Sequence, residues 1–187
     1  EHVGDQRSVA RMRMLVTDKA DGLSGWQEAK INFTDLKVIG YAEPNMFQRE
    51  DGTVVSLLRN SSSFLYAATS RDQGRSWSTP MQTNFPDSTA RFALGKLPDG
   101  TIYLINNPGP KSFVRQLLAI STSRDGQEFD RSWIIRNEPT TMRFPGKNKL
   151  DGWQYPHAIV WKSFLYVIYS INKEDVAVTR IPLNQFK

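Results

Sequence analysis

Apolar residues in this chain fall in short runs rich in Val, Ile, Leu, Tyr and Phe, and no segment keeps a helical period. The runs predict strands at Asn45–Gln48, Val54–Leu58 and Leu65–Ser70. A second set follows at Phe92–Lys96, Ile102–Asn106 and Leu117–Ser121, and a third at His157–Val160, Leu165–Ser170 and Val176–Ile181. Asp51-Gly52-Thr53 recurs as Asp99-Gly100-Thr101, 48 positions on. Asp-Gly between apolar runs is a strong hairpin signal.

A second marker repeats at nearly the same interval. Ser70-Arg71-Asp72-Gln73-Gly74-Arg75-Ser76-Trp77 reads S-x-D-x-G-x-S-W, and Ser123–Phe129 is a weaker copy. Asp and Ser side chains in such a segment bond nearby backbone N–H groups, Gly takes the positive φ, and the aromatic plugs the hairpin into the core. A degenerate turn, Thr17–Trp26, precedes both. Trp77 follows Trp26 by 51 positions and Phe129 follows Trp77 by 52. A period near fifty with about four strands per unit predicts an all-β fold, a β-propeller, over a β-sandwich with chance similarity.

The units run roughly 1–42, 43–90 and 91–150, with closing strands in 151–187, so residues 1–187 form one partial propeller domain. Propellers close with about four to eight blades, and this chain supplies about three. The remainder is expected upstream, because the C-terminal sequence reads as a natural end. A second chain or self-association would also complete the ring.

Composition narrows the chemistry. The chain has 187 residues and a net charge of +5. Its Lys and Arg residues are scattered rather than clustered, so no nucleic-acid partner is expected. There is no Cys and only two His residues. Disulfides, thiol nucleophiles and Cys- or His-rich metal sites are excluded, and no metal or cofactor is expected. No apolar run reaches the roughly 18 residues of a membrane span. Asn32-Phe33-Thr34 and Asn60-Ser61-Ser62 match the glycosylation sequon, a weak signal at this length.

The repeat also aligns candidate site residues. Glu43 lies eight before Asp51, Arg91 eight before Asp99, and Tyr155 seven before Lys162 at the matching turn. All three open the first strand of their unit. The innermost strands of a propeller line its channel, so these positions are expected to converge. Arg59 ends an apolar strand and Arg115 precedes another. Guanidinium groups grip carboxylates bidentately at every working pH, so two converging arginines suggest an acidic substrate. His157, two residues after Tyr155, is expected on the same strand face.

In their order, these residues resemble the sialidase (neuraminidase) superfamily, and the turn segments look like its Asp boxes. Glu43, Arg59, Ser70–Trp77, Asp99-Gly100, Asn107-Pro108, Arg115, Ser123–Phe129 and Tyr155 occur in the sequence typical of that superfamily. The resemblance covers the chain from residue 41 on. It implies a six-bladed propeller and retaining hydrolysis of a terminal acidic sugar. Tyr155 would be the nucleophile and Glu43 its base, with Arg59 and Arg115 holding the substrate carboxylate and Arg91 and His157 nearby. It also implies an acidic glycan as partner and a secreted or periplasmic location. The first arginine and the Asp acid/base of the family lie in N-terminal blades that this chain lacks. Tyr155 is followed by Pro156-His157 where sialidases often carry Ser-Asp, and Tyr169-Ser170 stands where many carry Tyr-Glu. A uronate-active lyase using a Tyr/His pair, another glycosidase, or a non-catalytic glycan-binding propeller remain alternatives.

Overall fold

A computed structural model of the chain describes residues 12–31, 42–109, 111–147 and 149–186. Two four-stranded antiparallel sheets form its middle. The first joins β4 (Ala42–Gln48), β5 (Val54–Arg59), β6 (Phe64–Ser70) and β8 (Met81–Pro86), with β7 (Ser76–Trp77) set aside from it. The second joins β9 (Ala93–Lys96), β10 (Ile102–Asn106), β11 (Leu118–Ser123) and β12 (Arg131–Arg136). A last sheet holds three strands, β13 (Trp153–Trp161), β14 (Phe164–Ile171) and β15 (Asp175–Pro182), followed by a 3-10 turn at Leu183–Phe186. β1 (Leu15–Val16) pairs with β2 (Gln27–Glu28), and β3 (Lys30–Ile31) lies parallel to β7.

Each middle sheet alternates its side chains between two packed faces. Val55, Leu57 and Leu65 meet Phe92, Ile102 and Leu104 of the next sheet. Tyr103, Ile105, Leu118 and Ile120 turn the other way, onto Leu165, Val167 and Tyr169 of the last sheet. Leu58, Ala68 and Trp77 pack on Met14 and Ala29 at the N-terminal side. Strand alternation thus stacks sheet on sheet, the blade packing of a propeller. β9 contacts both β4 and β13, so the first strands lie side by side where the sheets converge.

The last sheet differs from the middle two in having one packed face. Ile159, Trp161, Ile168, Val176 and Val178 are exposed on its other side. Equivalent positions in the middle sheets are covered by a neighbouring sheet.

The Asp box has the expected wiring. Gly74 N donates to Ser70 Oγ (2.8 Å), Ser76 N to Asp72 Oδ1 (2.8 Å), and Trp77 Nε1 to the Gly74 carbonyl (2.9 Å). Hydrogen bonds from Ser76 and Ser70 hold the Asp72 carboxyl down at about 2. The copy at Ser123 is similar, with Gln127 N and Glu128 N donating to Asp125 Oδ1. Through β7 and an Arg75–Asp18 ion pair, the first box also fastens the N-terminal unit to its neighbour. The degenerate turn departs from expectation. Trp26 is 52% exposed where Trp77 is 7% exposed, so it anchors no core. Asn60 is buried and donates to the Leu58 and Phe64 carbonyls, which leaves its sequon no exposed acceptor. Asn32 lies outside the described residues.

Candidate active site

Glu43 and Tyr155 occupy matching irregularities. The register of β4 on β5 shifts between Ala42 and Asn45, and that of β13 on β14 between Gln154 and His157. Each shift inserts one extra residue on the first strand, a β-bulge that re-aims a side chain. Glu43 (φ 48°) and Tyr155 (φ 53°) both sit in the left-handed region. Each precedes a proline, Pro44 or Pro156, whose ring disfavours the right-handed helical basin for the residue before it. A bulky residue held at positive φ costs of order 1–3 kcal/mol and recurs at functional sites.

Tyr155 is half-buried and faces cations. Arg115 Nη1 donates to its phenol oxygen at 3.2 Å, and the guanidinium stands 5.2 Å from the ring centroid. Lys173 Nζ lies 4.9 Å from the same centroid. Burial pushes the phenol up, but hydrogen bonds and charge from Lys173 and Arg115 outweigh it, and the net shift is downward.

Arg115 is 3% exposed. Its other partners are neutral: Gln154 Oε1 at 2.6 Å and the Thr89 carbonyl at 3.3 Å. Its Nε has no partner, and among the described residues no carboxylate forms an ion pair with it. A buried guanidinium without a counter-ion carries a desolvation cost that an incoming anion would offset. Asn107 braces its loop, with Nδ2 donating to the Leu117 and Trp153 carbonyls at 2.7 and 2.8 Å. Trp153 is core: it packs edge-on to Tyr169 at 5.8 Å.

Arg59 forms an ion pair with Glu43. The structure therefore gathers the candidates as two pairs, Glu43 with Arg59 and Tyr155 with Arg115. The segment from Asp87 to Ala90 lies between them, with the Arg59 charge acting on Asp87 and Thr89 accepting from Arg115. Arg91 is exposed and makes no hydrogen bond or ion pair among the described residues. β9 begins at Ala93 and carries no bulge to match Glu43 and Tyr155. His157 does not share the Tyr155 face, because the bulge adds a residue between them and breaks the alternation. It lies with Ile159, Trp161, Tyr166 and Ile168 on the exposed side of the last sheet.

Asp87 was not evident from the sequence. It is 1% exposed and accepts from Asn106 Nδ2 (3.2 Å) and Ala90 N (3.3 Å). Burial raises its carboxyl to about 6, although those bonds and the Arg59 charge pull downward. A carboxyl raised in the fold binds its proton more tightly folded than unfolded. Stability should therefore fall as pH rises from about 4 to about 6, by about 3 kcal/mol in total, and level off above. Urea unfolding across that range should show the slope in the native protein, and Asp87→Asn should flatten it. An unchanged slope in the variant would remove Asp87 as its source.

Among the described residues no group of three His, Asp or Glu side chains converges as a metal site requires, and no helix is long and apolar enough to cross a membrane. No curated protein matches the chain significantly. Solved structures do. A structure described as a sialidase is 34% identical over 77% of this chain, with a TM-score of 0.66, and the match covers 13% of that molecule. The leech intramolecular trans-sialidase, complexed with 2,7-anhydro-Neu5Ac, is 14% identical over 95% of this chain and 28% of its own, with a TM-score of 0.69. A protein of unknown function from Dyadobacter fermentans is 16% identical over 90% of this chain and 44% of its own, with a TM-score of 0.66. The chain thus spans between 13% and 44% of these three molecules. The family of BNR repeat-like domains matches residues 6–167. With most of the chain matched, and Asp boxes joining stacked blades, the chain belongs to the BNR repeat-like family of the sialidase superfamily.

Proposed function

We propose that this chain carries half of the active site of an exo-acting, sialidase-like glycoside hydrolase that removes a terminal acidic sugar with retention. The observation that carries the reading is Tyr155, strained in a bulge with its phenol against a buried guanidinium that pairs with no carboxylate among the described residues. A carboxylate nucleophile would be repelled by a substrate acid group beside the anomeric carbon, whereas a neutral phenol would not. Arg115 and Arg59 take the substrate carboxylate. As it arrives, Glu43 is released from Arg59 and accepts the phenol proton.

The Tyr155 oxygen then bonds to the anomeric carbon as the bond to the leaving oxygen breaks. That oxygen is protonated by a carboxylic acid from blades outside this chain. Water, deprotonated by the conjugate base of that acid, then attacks the same carbon, the bond to the Tyr155 oxygen breaks, and the phenol regains its proton from Glu43, giving net retention. The bare face of the last sheet receives one of those blades. An acidic glycan of this kind is met outside the cytoplasm, which favours a secreted or periplasmic protein. His157 stands on the opposite face from Tyr155, which favours the hydrolase over a lyase with His157 as base.

The test is a panel of aryl sialosides and aryl uronides given to the polypeptide with its ring complete. Sialoside cleavage is expected, with a glycosyl adduct on Tyr155 in rapid-quench mass spectrometry. Uronide cleavage yielding an unsaturated product would establish the lyase instead. Binding of acidic glycans with no turnover would establish a lectin-like propeller.

A further inference from the structure

Lys173 belongs to no motif, yet its turn is held in place more firmly than a hairpin tip requires. Asn172 (φ 55°) and Lys173 (φ 57°) are both left-handed, the signature of a type I′ turn, closed by Glu174 N donating to the Ile171 carbonyl at 2.8 Å. Asn and Gly usually supply such φ values, and a lysine there carries strain.

Both flanks of Lys173 are clamped. Asn172 Oδ1 accepts from Gly152 N (2.8 Å) and Thr140 Oγ1 (2.6 Å). Glu174 accepts from Phe144 N (2.8 Å), Arg143 N and Lys149 Nζ (2.5 Å), and these bonds hold its carboxyl down at about 2. Gly152 in turn is bridged to Arg115, and Trp153 N donates to the Arg115 carbonyl at 2.8 Å. One framework therefore fixes Arg115, Tyr155 and Lys173 relative to each other. Among the described residues the charged groups facing the phenol are Arg115, from the lead into β11, and Lys173, from the turn between β14 and β15.

We propose that Lys173 is a further residue of the active site, forming with Arg115 a two-cation clamp on the Tyr155 oxygen that readies the phenol for attack and adds a second positive contact for the acidic group of the substrate. The proposal rests on the reading of Tyr155 as nucleophile. It makes ionisation of the phenol depend on two fixed cations and not on Glu43 alone. Tyr155 is half-buried, and there such charges act more strongly than in bulk water.

The experiment follows tyrosine Cζ resonances by carbon-13 NMR through an alkaline titration, with Tyr155→Phe identifying the Tyr155 signal. That signal should titrate below the other tyrosines. Lys173→Met should raise its midpoint toward that of the other tyrosines, and Lys173→Arg should restore it. Both variants should keep the native unfolding temperature within a few degrees, because the side chain, not the turn, is changed. A Tyr155 midpoint unmoved by Lys173→Met would overturn the clamp. So would equal shifts in the Met and Arg variants, which would mark a packing effect. The NMR result is independent of substrate: a shifted midpoint with every sialoside inert would leave the clamp standing and sink the proposed hydrolase. With an active protein, Lys173→Met should lower kcat on an aryl sialoside and move the acidic limb of its pH profile upward, which a merely structural lysine would not do.

Discussion

Tyr155→Phe is expected to lower turnover of an aryl sialoside by about a thousandfold or more while binding of an unreactive acidic sugar persists. The substitution removes one oxygen and keeps the ring. The ring still stands under Arg115 at 5.2 Å and near Lys173 at 4.9 Å, so cation–π contact survives. What is lost is the proposed nucleophilic oxygen, together with its hydrogen bonds from Arg115 and Lys173. Each such bond contributes about 1 kcal/mol to stability, too little to unfold the domain. On the proposed reading Arg115 and Arg59 still take the substrate acid, so a calorimetric titration should report near-native affinity beside a collapsed kcat. A variant retaining a tenth of native turnover would exclude Tyr155 as nucleophile.

How far the site could be read from the sequence depended on whether its geometry is local. The Asp boxes were legible because Ser70, Asp72 and Gly74 bond their own backbone within a few residues. The strands and the propeller followed from apolar runs and the interval between boxes. Arg115 was legible as a cation near the site, but not as one buried without a counter-ion, since Gln154 and Thr89 reach it from other segments. Spacing alone equated Arg91 with Glu43 and Tyr155. It did not register that only the latter two precede a proline within a bulge. The same bulge moved His157 to the opposite face, because one inserted residue inverts the alternation of everything beyond it. Asp87 and Lys173 had no local signature. Their roles come from burial and from a turn pinned by distant side chains.

The framework behind both cations converges on one residue without a side chain, and Gly152→Ala should expose that dependence. Gly152 has φ 118°, a conformation that L residues rarely adopt. A Cβ there would overlap the Arg115 carbonyl and stand 2.9 Å from Gln116 N. These neighbours are backbone and cannot swing aside as a flexible side chain would. Strain at this φ and forced overpacking each cost about 1–3 kcal/mol, so a loss of about 4 kcal/mol is expected by denaturant unfolding. Any relaxation must separate β13 from the Arg115 loop, or push Gly152 N away from Asn172 and Thr140. Either movement displaces Arg115 or Lys173 from Tyr155. Gly152→Ala should therefore raise the Tyr155 midpoint even under conditions where the variant remains folded. A variant of native stability would show that the strand and the loop separate freely, and that Gly152 does not hold the site together.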